Sequence, residues 1–450
     1  MTSIIKLLKA QPAAPLIKDK NKVDKLYAHW RLRTMYAMFI GYAVFYFVRK
    51  NLSAATPAII QELSYSKTEI GVIWSLLYLT YGVSKFVNGI LGDRANARYF
   101  MAFGLLLSAI CNIFFGLSSS LVAFGVFWTL NGWFQGMGWP PCARLLTHWY
   151  SQSERGTKWA IWNIAHQIGG GIILVLAGFL TQHYGWRSSM MIPALIAIAT
   201  TYFLINRLRD TPESMGLPPI EIYRNDIVTE AEVADIKNPH EHNWKEILWK
   251  NVLTNRQIWF LSIANFFVYL VRYGAMDWAP TFLVEVKQSS IANASIKAAG
   301  FEFLGIGGAV LAGWLSDKYF RGRRYLVNVI YMALLAFAVV EFWLIPPGHP
   351  VLDALALGAV GFLVYGPQML VGVCAADAAS KHASATATGF TGMFGYLGSI
   401  VSGVGTGYVV DHFGWSGGFM LFIASAVIGC VCFLATGDNK LKKLKFLKKK

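Results

Sequence analysis

Two arginines stand where a charge is hard to keep. Arg49 and Arg272 lie inside long apolar runs, in the strings FYFVRKN (45–51) and VYLVRYG (268–274). A cation near the middle of a bilayer costs roughly 2.5–3.5 kcal/mol on insertion scales, so each needs a compensating anion. A nearby carboxylate, Asp277 or Glu302, would make the arginine structural glue. An anionic ligand is the other answer. Guanidinium suits that task, because its planar fork binds two phosphate oxygens at once. Two arginines at matching places favour the ligand. His166 has Trp162 one helical turn before it, and its proton could follow ligand charge near neutral pH. A buried neutral imidazole bonded to a carbonyl is the plain alternative. Lys50 follows Arg49 and points about 100° away around the helix, toward packing or toward ligand. Lys85 is another basic residue deep within an apolar run, and it suits an intramembrane ion pair with Asp277 or Glu302.

Other chemistries find no support. There is no GxxxxGK[ST] string, no HExxH and no nucleophile elbow, so neither ATP hydrolysis nor another enzymatic activity is expected. HEH at 240–242 lies in a polar stretch. The five cysteines have no CxxC pair and no zinc spacing, and they read as small buried hydrophobes. Neither a metal nor a cofactor is expected.

The elements that carry these residues follow from composition. Of 450 residues, 55% are hydrophobic and only 14% charged, with a mean hydropathy of +0.45. A soluble chain of this size could not hide so much apolar surface, so the expected class is an all-α membrane protein. Apolar runs fall near 35–58, 70–91, 99–118, 121–146, 159–181, 188–206, 257–283, 293–315, 325–345, 351–376, 384–409 and 414–436. They predict twelve transmembrane helices. The chain then divides into an N-terminal segment (1–34), a six-helix bundle (35–206), a connector (207–256), a second six-helix bundle (257–436) and a basic tail (437–450). Pro140–Pro141 should bend the fourth span, and Gly132, Gly136, Gly138 and Gly169–Gly171 should let helices approach closely.

The net charge of +16 is a topology signal, not a nucleic-acid signature. Setting aside Arg49, Lys50, Lys85 and Arg272, only Lys67, Arg187, Lys287 and Lys297 fall toward one side, and all other Lys and Arg fall toward the other. The positive-inside rule puts both termini in the cytoplasm. No cleavable signal peptide is expected. The LKKLKFLKKK tail reads as a solvated basic segment or as one touching anionic lipid.

The halves repeat. GILGDRANARY (89–99) matches GWLSDKYFRGRRY (313–325), and HYGWRSSMM (183–191) matches HFGWSGGFM (412–420). Arg49 and Arg272 are separated by nearly the same interval. Parallel repeats build two pseudo-symmetric bundles around one cavity and put the two arginines in equivalent positions. The doubled G-x-x-x-D-R/K loop resembles that of the major facilitator superfamily. Asp93, Arg94, Asp317 and Lys318 in these loops are expected to close the cytoplasmic face.

Longer strings narrow the resemblance. GYAVFYFVRKN, NGWFQGMGWPPCARLLTHWYSQSERG, WNIAHQIGGG, RDTPESMGLPP, VYLVRYGAMDWAPTFL and TGFTGMFGYLG resemble the organophosphate:phosphate antiporters along nearly the whole chain. The resemblance implies that Arg49 and Arg272 clamp phosphate, with His166 and Lys50 beside them. It implies that Tyr42, Tyr46, Trp139, Trp162, Tyr269, Tyr365 and Tyr396 line the cavity. Lys85, Asp277, Glu302 and Tyr81 are implied in gating. It further implies a monomer in a bacterial inner membrane, exchanging an organophosphate for inorganic phosphate. The strings mix hexose-phosphate and glycerol-3-phosphate features. Glucose-6-phosphate is the first expectation, glycerol-3-phosphate the second, and a sensor working through a histidine kinase the third.

Overall fold

The computed structural model describes residues 8–93, 95–225, 249, 252–320, 322–379 and 384–447. Most of the central connector, Arg94 and residues 448–450 therefore lie outside the described residues. The described chain is helical: α1 (Lys20–Leu63), α2 (Lys67–Asp93), α3 (Ala97–Leu117), α4 (Leu121–Gln135), α5 (Trp139–Trp149), α6 (Gln152–Asn163), α7 (Ala165–Tyr184) and α8 (Ser188–Arg207). The short α9 (Ile220–Arg224) follows, then α10 (Arg256–Glu285), α11 (Ile291–Lys318), α12 (Arg324–Leu344), α13 (Pro350–Ala378) and α14 (Ser384–Leu447).

Among the described residues, nine helical stretches are long and apolar enough to cross a membrane. The boundaries differ from the expected spans where the backbone breaks. The fourth expected span divides into α4 and α5 at Gly136–Gly138, just before Pro140–Pro141. The fifth is made of α6 and α7, which meet at Ile164. The last two expected spans run on as α14, broken at Gly414. One apolar stretch there, Thr386–Gly437, has 52 residues, whereas about 20 suffice for one crossing.

Local signals start and stop these helices. Asn96, Asn255 and Ser290 cap α3, α10 and α11 by accepting first-turn amides. Ser151 and Glu154 form a capping box on α6. The repeated HYGW and HFGW strings have one physical purpose. Gly185 (φ +80°) and Gly414 (φ +67°) both take a positive φ, which glycine adopts readily, where a helix ends or breaks.

The chain forms two compact units. The first comprises residues 1–51, 80–173 and 187–239, and the second 52–79, 174–186 and 240–450. The first unit is braced by Asp210 of RDTPESMGLPP. Its fully buried carboxylate accepts from the amides of Gln11 (3.1 Å) and Ala97 (3.0 Å) and pairs with Arg144 Nε (3.2 Å). Tyr27 donates to the Pro218 carbonyl, and burial pushes its hydroxyl pKa well up, so it remains a donor.

In the second unit, the starts of α2 and α11 are capped from elsewhere in the chain. Asp411 on α14 accepts from Thr68 N (2.7 Å), Thr68 Oγ1 (2.6 Å) and Lys67 N (3.2 Å). Gln182 on α7 accepts from Ala292 N (2.8 Å). Each capping residue directly precedes a repeated H-F/Y-G-W string.

Candidate functional site

In the first unit the site begins with a break in α1. Val48 leaves helical geometry (φ −98°, ψ 18°), which releases backbone carbonyls inside the bundle. Buried amides take them up. Asn112 and Asn131 both donate to the Val48 carbonyl at 2.8 Å, and Gln135 donates to the Phe45 carbonyl at 3.0 Å. Asn51 in turn donates to Asn112 Oδ1 (2.8 Å). This network fixes the kink and with it the direction of Arg49, the next residue.

Arg49 is buried, with its guanidinium carbon 3.9 Å from the Tyr46 ring centre and 5.0 Å from that of Tyr81. Tyr46 lies 5.7 Å from the His166 ring and 5.9 Å from Tyr42. Tyr42 packs on Trp162 at 4.8 Å, Trp162 on Trp159 at 5.9 Å, and Trp159 on Trp139 at 5.7 Å. Lys85 Nζ stands 5.0 Å over Trp139. A continuous aromatic surface therefore joins Arg49, His166 and Lys85. His166 Nδ1 meets the Asn163 carbonyl across the α6–α7 junction, so Nδ1 carries a proton in this contact. Lys50 is fully buried. Gly169 lets α7 close on α1, since a Cβ there would overlap the Ala43 carbonyl.

In the second unit Arg272 occupies the corresponding place. Its Nη2 donates to Tyr365 OH (2.9 Å) and its Nη1 to Tyr273 OH (3.2 Å). The guanidinium lies 4.6 Å from the Tyr365 ring, 4.7 Å from Tyr273 and 6.0 Å from Tyr269. Tyr365 donates its own hydroxyl hydrogen bond to Glu302, which is fully buried. One hydroxyl thus links the cation to a carboxylate. Tyr269 also meets Tyr396 at 6.0 Å. Asp277, also buried, accepts from Ser53 Oγ (3.0 Å) and from Tyr78 OH, whose ring packs on Tyr273 at 4.7 Å. Gly398 repeats the role of Gly169: a Cβ there would overlap the Phe266 carbonyl of α10.

The predicted gating loops are described in part. Arg94 and the Asp93 side chain lie outside the described residues. Asp317 is exposed and 3.8 Å from Arg324, which also pairs with Asp377, while Lys318 Nζ lies 5.2 Å over Trp314. Sequence reasoning missed Asn112, Asn131, Gln135, Ser53, Tyr78 and Tyr273. The signal for the first three was present: side-chain amides within otherwise apolar runs.

A sequence profile of the Major Facilitator Superfamily matches residues 38–403. The chain belongs to this superfamily. Its members are transporters and not enzymes, and the fold has the all-helical architecture read from the sequence. A "Probable hexose phosphate transport protein" from Chlamydia pneumoniae is 46% identical over 93% of this chain and 94% of its own length. A "Glycerol-3-phosphate transporter" from Bacillus subtilis is 47% identical over 94% of this chain and 96% of its own length. "Membrane sensor protein UhpC" from Escherichia coli is 44% identical over 96% and 98%. The resemblance read from the motif strings is therefore matched by whole-length relatives.

Proposed function

We propose that this chain is a secondary transporter that exchanges a hexose phosphate, glucose-6-phosphate, for inorganic phosphate by alternating access. One observation carries the reading. Each compact unit buries one arginine among tyrosines at the same place in the repeat, Arg49 with Tyr46 and Arg272 with Tyr269. A phosphate monoester carries about −1.5 to −2 charge at neutral pH and balances two guanidiniums. Relatives named for hexose phosphate and glycerol-3-phosphate transport support the substrate class.

The surroundings of the two arginines support the reading. The Tyr365 hydroxyl links Arg272 to Glu302. Arg49 lies against the ring faces of Tyr46 and Tyr81, with the His166 ring next to Tyr46. His166 adjusts its own protonation to the ligand's charge. With no anion bound, the cost of two buried cations opposes a change of facing. Bound phosphate or phosphate ester relieves that cost, so only loaded protein changes its facing. This is the physical basis of obligatory exchange. The proposal includes twelve crossings, both termini in the cytoplasm, and a monomer in a bacterial inner membrane.

Exchange in phosphate-loaded proteoliposomes tests the reading. Release of internal phosphate on adding glucose-6-phosphate is the expected result. Release with glycerol-3-phosphate alone would move the substrate to the one named for the Bacillus relative. Organophosphate binding with no exchange would favour a sensor, as the E. coli relative is named.

A further inference from the structure

We propose that Arg33, Arg98 and Arg209 form a binding site for the phosphodiester headgroup of an anionic membrane phospholipid. The three side chains converge on the last turn of α8. Arg33 Nη2 donates to Asn206 Oδ1 (3.0 Å) and reaches its carbonyl (3.5 Å). Arg209 Nη1 donates to the carbonyls of Asn206 (3.2 Å) and Leu208 (2.7 Å), and Arg98 Nε donates to that of Ile205. Trp30 holds two of the guanidiniums, at 4.3 Å for Arg209 and 4.9 Å for Arg33. Arg207 adds a fourth cation, 6.0 Å over Phe203.

The local charge does not balance. A helix C-terminus supplies the equivalent of about half a negative charge. Four guanidiniums surround it, and no carboxylate among the described residues pairs with any of them. Burial, then repulsion from Arg98 and Arg33, lowers the pKa of Arg209. Arg33 Nε is buried without a hydrogen-bond partner among the described residues. All four arginines are partly exposed, so an anion can reach them.

The position selects a lipid. Arg33 lies just before the first apolar run, Arg98 just before the third and Arg207 just after the sixth, so the cluster sits at the rim of the apolar zone. An aromatic seam runs from it into that zone. Tyr36 packs on Phe203 at 6.2 Å, and Tyr202 beside Phe203 is 74% exposed. A phosphodiester at the arginines would leave its acyl chains along this seam. Interfacial aromatics with basic residues behind them are the usual form of a headgroup site. By the positive-inside reading, the leaflet is the cytoplasmic one.

Native mass spectrometry of the full-length purified chain tests this, using phosphatidylglycerol as probe and phosphatidylethanolamine as the zwitterionic control. Retained phosphatidylglycerol should weaken roughly five-fold for each arginine replaced in Arg33→Gln, Arg98→Gln and Arg209→Gln. The corresponding Lys variants should keep most of it, which separates charge from helix fraying. Added millimolar inorganic phosphate should not displace the lipid. Unchanged retention in the triple Gln variant, equal retention of the two lipids, or displacement by free phosphate would each overturn the proposal. None of these readouts depends on transport.

Discussion

Gln182 and Asp411 hold corresponding positions in the two sequence repeats, and each caps the first turn of a helix distant in sequence. The geometry is shared and the chemistry is not. Gln182 offers a neutral amide oxygen to Ala292 N, whereas Asp411 brings a full charge to the start of α2. A carboxylate there also gains from the helix dipole, by about 0.3–1 kcal/mol. If the six-helix halves rock as proposed, both caps must break each time the outer face opens.

Asp411→Ala should therefore favour the outward-open state more than Gln182→Ala does. Losing a cap costs about 1 kcal/mol, a shift of roughly five-fold in population. A Ser75→Cys reporter, placed where Ser75 Oγ bonds the Ile400 carbonyl at 2.6 Å, should react correspondingly faster with a membrane-impermeant thiol reagent. Equal labelling with and without Asp411→Ala would show that the cap does not restrain opening.

Asn131→Leu should weaken phosphate binding without removing a charge. The Val48 carbonyl would lose one of two amide donors, and the kink that aims Arg49 would relax. A buried hydrogen bond of this kind contributes about 1 kcal/mol, so a five- to tenfold rise in phosphate Kd is expected. The double variant with Asn112→Leu should exceed the sum of the singles, because both act on one carbonyl. Phosphate Kd at wild-type level in the double variant would remove the kink from the account.

Tyr365→Phe should cut the relay between Arg272 and Glu302. It leaves a buried carboxylate without its hydroxyl donor and the guanidinium without one acceptor. Exchange should fall at least tenfold, and Glu302→Gln in the same background should add little further loss. Independent, additive losses would mean that Glu302 does not act through Tyr365.

Asp210→Asn should lower stability rather than substrate affinity. It weakens a buried brace joining Gln11, Ala97 and Arg144, by about 2–3 kcal/mol for charge-assisted bonds. A reduced Tm in detergent with unchanged phosphate Kd is the expected pair of results. An unchanged Tm would show that the brace contributes nothing.

Much of the site was legible because intramembrane charge is rare and repeats are periodic. Arg49 and Arg272 stood out by type and spacing, and the H-F/Y-G-W strings marked the repeat, though not the positive φ of their glycines. The kink at Val48 was hidden because nothing in FYFVRKN breaks a helix. Its cause lies in amides more than 60 residues away in sequence, at Asn112 and Asn131. The partners of Asp277 were hidden for a similar reason. The Ser53 and Tyr78 hydroxyls are among the donors to its carboxylate. Hydroxyls carry no charge pattern to follow. The Arg33, Arg98 and Arg209 cluster had its charges in plain view, but only folding gathers them on one helix end.

The most direct test of the central claim keeps the charge and removes the fork. Arg49→Lys and Arg272→Lys should be reconstituted separately into phosphate-loaded liposomes, and radiolabelled phosphate efflux followed against external glucose-6-phosphate. The account predicts near-complete loss of exchange in each variant, because a point charge cannot hold two phosphate oxygens in a fixed plane. Near-normal exchange in either variant would contradict it.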